Sequence, residues 1–289
     1  MFKKGERKDG GRALMGKAVY ALSLIAVAIS LLSLVVILGD ALFDGLPYLN
    51  WRFITSYPSR FPSRAGILPA LVGSVWLVAL TALFSFPLGV CAAIYLEEYA
   101  PKNRVTEFIQ VNIANLAGVP SIVYGLLGLG LFVDTLALGR SVLAGALTMT
   151  LLILPVIIIA SREAIRSVPK DYREGAYALG ATKWKVTRQI VLPEAFPGIL
   201  TGTIIALSRA IGEAAPMIAI AALVYVTFVP LSPLDRFTVM PIQIYNWVNL
   251  PKLEFKNLAA AGIILLLTVL VAMNSVAIAI RYKYQKKAV

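Results

Sequence analysis

The chain has 289 residues, of which 59% are hydrophobic and 15% charged, with a formal net charge of +12. An ordinary soluble fold is excluded, because the charges are gathered between apolar blocks long enough to cross a bilayer. The absence of histidine and the single cysteine, Cys91, exclude a disulfide framework, a cysteine metal cluster and any His-based triad or proton shuttle.

A residue advances about 1.5 Å along a helix, so a span needs about 20 apolar residues. Six blocks meet that length: Ala18–Gly39, Ile67–Tyr95, Phe108–Val133, Ser141–Ala160, Ala195–Tyr225 and Leu258–Ile280. Backbone groups in lipid must be satisfied within each segment, so blocks this long predict helices. The chain therefore reads as an all-α polytopic membrane protein with six transmembrane helices.

Residues 1–17 are rich in Lys and Gly and read as a solvated cytosolic tail. The first block is longer than a signal peptide's apolar core and lacks a small-x-small cleavage site at Gly39-Asp40-Ala41-Leu42. It reads as a retained helix that forms, with the loop from Asp40 to Gly66, a unit over 18–66. Trp51, Phe53, Tyr57 and Phe61 in that loop are expected at headgroup level.

Cys91 in the second block is expected to be a buried thiol acting as a small apolar residue. In the third block Gly118, Ser121, Gly125 and Gly128 recur at helical spacing, a face for close helix packing. Pro87, Pro120, Pro155 and Pro216 lie within blocks and mark candidate kinks. The segment from Val226 to Asn257 reads as a long proline-bearing loop. The transmembrane domain covers 67–281, interrupted by a polar loop at 161–193, and a second cytosolic tail covers 282–289.

Orientation follows from Lys and Arg. Most of the 27 basic residues fall in the amino-terminal tail, the 102–104 connection, the 161–193 loop and the carboxyl tail. The opposite connections hold Arg52, Arg60, Arg64, Arg140, Arg236, Lys252 and Lys256. The positive-inside rule then puts both termini and the 161–193 loop in the cytosol. Basic residues that flank spans report topology and contact with lipid headgroups; they do not line a nucleic-acid surface.

The most patterned stretch is Glu174–Pro193, EGAYALGATKWKVTRQIVLP. Glu174, Ala176, Gly180, Ile190, Leu192 and Pro193 match the EAA loop of ABC importer permeases, E-A-A-x3-G-x9-I-x-L-P, and Gly175 departs from it. Six such matches arise by chance roughly once in ten million starting positions. Tyr172, Ala176 and Leu179 are spaced as on one face of a short helix, and Gly180 suits the left-handed position that ends it. Trp184 and Val191 are expected to form one apolar patch seated against the core, with Pro193 starting the following span.

The resemblance implies that this segment is a coupling helix seated on a separate ATP-hydrolysing subunit. No G-x4-G-K-[ST] phosphate loop occurs in the chain. ATP and Mg are thus expected to be used by a partner, with no cofactor and no metal bound here and no catalytic residue.

Within the fifth block, Arg209 and Glu213 are four residues apart, which places both on one face of a continuous helix. An intramembrane Arg costs about 3 kcal/mol on insertion scales, so the pair is a functional candidate. A guanidinium fork suits a tetrahedral oxyanion. The carboxylate either holds the Arg when the pathway is empty or accepts a hydrogen bond from protonated phosphate. A structural ion pair is the other reading.

The run Arg209–Met217, RAIGEAAPM, and the segment GVPSIVYG over 118–125 are similar to phosphate ABC importer permeases, and the chain most resembles their PstA type. That resemblance implies the type I importer permease fold and a prokaryotic inner membrane. It also implies a PstC-like permease partner, an ABC ATPase dimer and an extracytosolic phosphate-binding protein. Ser121 and Tyr124 are further pathway candidates. Sulfate or molybdate permeases, an ion-coupled secondary transporter and a membrane sensor are the competing functions. The loop pattern and the single central carboxylate argue against the secondary transporter.

Overall fold

The computed structural model describes residues 6–220 and 225–285. Lys3, Lys4, Lys286 and Lys287 of the two tails, and residues 221–224 at the end of the fifth block, lie outside the described residues. The described residues form helices joined by turns and by a longer irregular segment over 225–239, with one isolated bridge between Ser141 and Arg236. Five helices are long and apolar enough to cross a membrane, and a sharply bent pair makes a sixth if it is one span.

Helix α1 covers Glu6–Gly45, so residues 6–17, expected as a solvated tail, instead extend the first span. It stands apart from the bundle: the side chains from Met15 to Val36 are exposed, and close contact begins near Ala41 and Gly45. There Gly45 lies against Ala260 and Ala261 of α12 (Leu253–Gln285). After α2 (Trp51–Thr55), the long α3 (Leu68–Ile94) runs on through a wide π-turn at Tyr95–Tyr99. Pro87 is absorbed within continuous α3, as Pro155 is within α6 (Val142–Arg166).

The third block is not one straight span. Helix α4 (Arg104–Leu116) and helix α5 (Ser121–Gly128, continued by a π-turn to Thr135) meet at an angle of 101°. Pro120 has no N–H to continue a helix, and the polar Asn112 and Asn115 make the end of α4 a poor lipid span. Tyr124 fixes the bend, its hydroxyl donating to the Leu116 carbonyl at 2.8 Å.

Helix α6 is the most deeply buried span and forms the axis of the bundle. Its first amides are satisfied by loop carbonyls, Val142 N–H donating to Asp235 and Leu143 N–H to Pro233. Beyond it come α7 (Lys170–Ala178), α8 (Lys183–Val186), a π-turn at Thr187–Val191, and α9 (Leu192–Gly212). Pro193 is the second residue of α9, as expected at the start of that helix. Lacking an N–H, it is accommodated by the wide turn just before it, in which Leu192 N–H reaches back to Thr187. A Cβ added at Gly202 of α9 would lie 2.3 Å from the Ala160 Cβ of α6, so these helices meet backbone to backbone.

The fifth block also breaks. After Gly212 the chain is extended at Glu213 (φ −81°, ψ 111°) before a short α10, Ala215–Ala219, so Pro216 sits at a true interruption. The segment expected as a loop over Val226–Asn257 contributes core. Phe237, Val239 and helix α11 (Met240–Val248) bury Met240, Ile242, Ile244 and Trp247. Trp247 packs on Phe53, ring centroids 5.7 Å apart, which takes Phe53 out of the expected headgroup belt. Cys91, expected to be buried, is exposed on α3.

The two ends of the bundle are distinct. One gathers 46–67, 225–239 and the start of α12, with Tyr225 donating to the Pro58 carbonyl. The other gathers the end of α3, the 161–193 segment and Arg281 near the end of α12, whose guanidinium donates to Thr201.

Candidate functional site: a broken helix pair and a clamped polar segment

Two places concentrate charge. The first is the interruption after α9. Arg209 lies in the last turn of that helix, while Glu213 lies outside it, so the expected shared helical face does not form. The Arg209 Nε stands 4.0 Å from Glu213 Oε2, with the two side chains 56% and 20% exposed. That distance is beyond hydrogen bonding, so the guanidinium donors are not used up by the carboxylate. Ser208, next to Arg209, hydrogen-bonds Asn274 of α12, six residues before Ile280. At about 1.5 Å per residue this puts the pair roughly 9 Å inside the apolar stretch of α12, on the side of Arg281.

The two interruptions touch each other. Pro216 and Ala219 of α10 lie so close to Gly125 of α5 that a Cβ there would meet them at 2.7 Å. Gly128 fits against Thr148 of α6 in the same way, while a Cβ at Gly118, in the bend itself, would meet the Asn115 carbonyl at 3.4 Å. Tyr124 is buried in the cluster that includes Ala210 and Met217, and Ser121 is half-buried at the start of α5. Broken helices free backbone groups and leave helix termini inside the membrane, the arrangement from which transporter binding sites are commonly built.

The second place is the 161–193 segment. It is mostly helical: residues 161–166 finish α6, then α7 follows. Helix α7 ends at a left-handed Gly180 (φ +77°). Gly180 N–H donates to Tyr177 and Ala181 N–H to Ala176, the paired bonds of a Schellman cap. Tyr172 and Leu179 are exposed, Leu179 to 90%, whereas Ala176 packs inward, so the three do not share a face. Glu174 and Gly175 are exposed, and a Cβ at Gly175 would meet nothing, so the departure from Ala leaves that surface open.

Val191 is fully buried with Val186, Ala93 and Ile165, and Leu192 packs beside them, but Trp184 is 59% exposed. The extra residue in the π-turn rotates everything after it by about 100°, so Trp184 and Val191 cannot share one side. Ile190 is half-buried and Pro193 exposed.

Sequence reasoning missed what holds this segment in place. Glu97 accepts from both Nε and Nη2 of Arg166, at 3.1 and 3.2 Å, and from Arg162 at 3.4 Å. Glu98 accepts from Nε and Nη2 of Arg173, at 3.2 and 3.0 Å. Arg173 also donates to the carbonyls of Val168 and Ile165. Next in line, the Tyr99 ring lies 5.1 Å from the Lys183 ammonium, and its hydroxyl is 3.5 Å from Thr187 Oγ1. The adjacent acids in Leu96-Glu97-Glu98-Tyr99 were the available signal.

The chain is similar to proteins named as permeases along most of its length. The probable ABC transporter permease protein YqgI of Bacillus subtilis is 38% identical over 198 residues, 68% of this chain and 65% of that relative. The phosphate transport system permease protein PstA of Haemophilus influenzae is 32% identical over 263 residues, covering 91% of this chain and 92% of that protein. Among solved structures, a bacterial alginate ABC transporter in complex with its alginate-bound periplasmic protein superposes with a TM-score of 0.65. It covers 95% of this chain and 96% of that one at 18% identity, a likeness of fold. The model of the binding-protein-dependent transport system inner membrane component matches residues 85–286. With its bent and broken spans arranged around α6 and its EAA-like segment clamped at one end, the chain belongs to the family of binding-protein-dependent transport system inner membrane components.

Proposed function

We propose that this chain is one permease subunit of an ATP-driven phosphate importer, lining half of the pathway and taking its drive from a separate ATPase. Arg209 carries the reading: its guanidinium is more than half exposed at a helix interruption inside an apolar stretch, with donors that Glu213 leaves unused. An Arg so placed is costly in lipid by about 3 kcal/mol, and a water-filled anion pathway removes that penalty. The relatives named as phosphate permeases support phosphate as the anion. Glu213 holds Arg209 between substrates and accepts a hydrogen bond from a protonated phosphate oxygen, which sulfate lacks. Ser121 lines the same pathway, and Tyr124 shapes it by holding the α4–α5 bend.

Glu174, Gly175, Ala176, Gly180, Ile190, Leu192 and Pro193 form or support the surface that meets the ATPase. The exposed Tyr172, Leu179 and Trp184 supply its apolar contacts. In this reading the 161–193 end and both termini are cytosolic. ATP and Mg bind the ATPase dimer, a PstC-like permease completes the pathway, and a phosphate-binding protein docks on the end bearing 46–67 and 225–252.

The test is ATP-dependent uptake of radiolabelled phosphate by vesicles holding this chain with those partners, with sulfate and molybdate as competitors. Uptake that is ATP-dependent and outcompeted only by phosphate is expected. Uptake driven by an ion gradient without ATP would defeat the reading, and stronger competition by sulfate or molybdate would reassign the anion.

A further inference from the structure

Helix α7 buries none of its residues fully, so apolar packing alone holds it weakly. Its polar hold is Arg173, whose side chain is 16% exposed and whose partner Glu98 is 7% exposed. That guanidinium joins three parts: the carboxylate at the end of α3, the Ile165 carbonyl in the last turn of α6, and the Val168 carbonyl just beyond it. The α6 carbonyls are the negative end of a helix dipole, which favours a cation there. Only a planar fork with several donors serves these acceptors together; a lysine ammonium is a compact point charge on a flexible stem.

The same turn of α3 reaches the neighbouring parts as well. Glu97 is tied to Arg162 and Arg166 of α6, and Tyr99 contacts Lys183 of α8 and Thr187 of the following π-turn. Successive residues 97, 98 and 99 thus engage α6, α7 and the start of the α8–α9 helix. This turn, together with the Ile165 and Val168 carbonyls, ties α7 to the spans.

We infer that Glu98 and Arg173 are positioning residues for energy coupling, making α7 and the adjoining ends of α3 and α6 move as one body. The inference rests on the proposed ATP-driven function. The pair touches neither substrate nor nucleotide; it acts by fixing the angle at which α7 meets its partner.

The experiment uses the full importer complex in proteoliposomes, comparing wild type with Glu98→Gln, Arg173→Lys and the double variant. Assembly, ATP hydrolysis and phosphate uptake are measured together. Glu98→Gln keeps the side-chain volume and a carbonyl acceptor, so it is the variant expected to leave assembly intact. Each single variant is expected to lower phosphate moved per ATP hydrolysed by at least about fivefold. The double variant is expected to be no worse than either single, because residues acting as a unit are non-additive.

A merely structural tie would reduce assembly, or lower hydrolysis and uptake in proportion. Either result overturns the inference, as do an unchanged uptake-to-hydrolysis ratio, additive losses, or failure of both single variants to assemble. A wild-type complex that hydrolyses ATP without importing phosphate would instead overturn the proposed function, and this inference with it.

Discussion

Arg209 and Glu213 face each other across the end of α9 at 4.0 Å, one in the last helical turn and the other on extended chain. Such a pair is poised to exchange partners, since neither group is locked by a short hydrogen bond. Arg209→Gln is expected to reduce phosphate uptake at least ~30-fold, the effect of losing about 2 kcal/mol of charged contact. The assembled complex should persist, as shown by co-purification of its subunits. Glu213→Gln should retain some transport but lose discrimination, measured as stronger inhibition by sulfate.

Gly180 holds a left-handed backbone, and a side chain there would meet no neighbour within 4 Å. Any penalty for replacing it is therefore conformational. Gly180→Val is expected to destabilise the α7 cap by about 1–2 kcal/mol, whereas Gly180→Asn should be much milder. The readout is uptake normalised to ATP hydrolysis, with Val impaired and Asn close to wild type.

At Gly202 the obstacle is steric. The Ala160 Cβ lies where a new Cβ would fall, so Gly202→Leu must push α9 away from α6. Overpacking of this kind costs about 1–3 kcal/mol. A lowered melting temperature and a reduced yield of assembled complex are the expected results.

Tyr124→Phe removes the donor that meets the Leu116 carbonyl at the α4–α5 bend. The expected loss is about 1 kcal/mol of stability, seen as easier thermal unfolding, with the apparent KM for phosphate unchanged. A raised KM would instead give the hydroxyl a direct part in the pathway.

The apolar blocks were legible in the sequence because lipid imposes a length and a composition on any span. Gly180 was legible too, since few residues other than glycine adopt its backbone angles without penalty. The bends were not. The third block carries no charge from Phe108 to Val133, and whether a proline is absorbed, as at Pro87 and Pro155, or ends a helix depends on neighbours far along the chain. The break falls at Glu213 and Ala214, ahead of Pro216 in the first turn of α10, so Arg209 and Glu213 read as partners on one helix.

Helix α11 was hidden by prolines, although Pro241 sits in its first turn, where a missing donor matters little. The Glu98–Arg173 clamp joins residues 75 apart in sequence, a pairing that no local spacing encodes.

Helix α1 is a mast stepped at one point. At about 1.5 Å per residue its 40 residues reach some 60 Å, yet among its described side chains its own chain grips it at the end from Leu38 to Gly45. The tilt of that mast is therefore set by whatever surrounds it. Extracted alone into detergent, the polypeptide would keep its inner bundle while the direction of α1 became a property of the micelle.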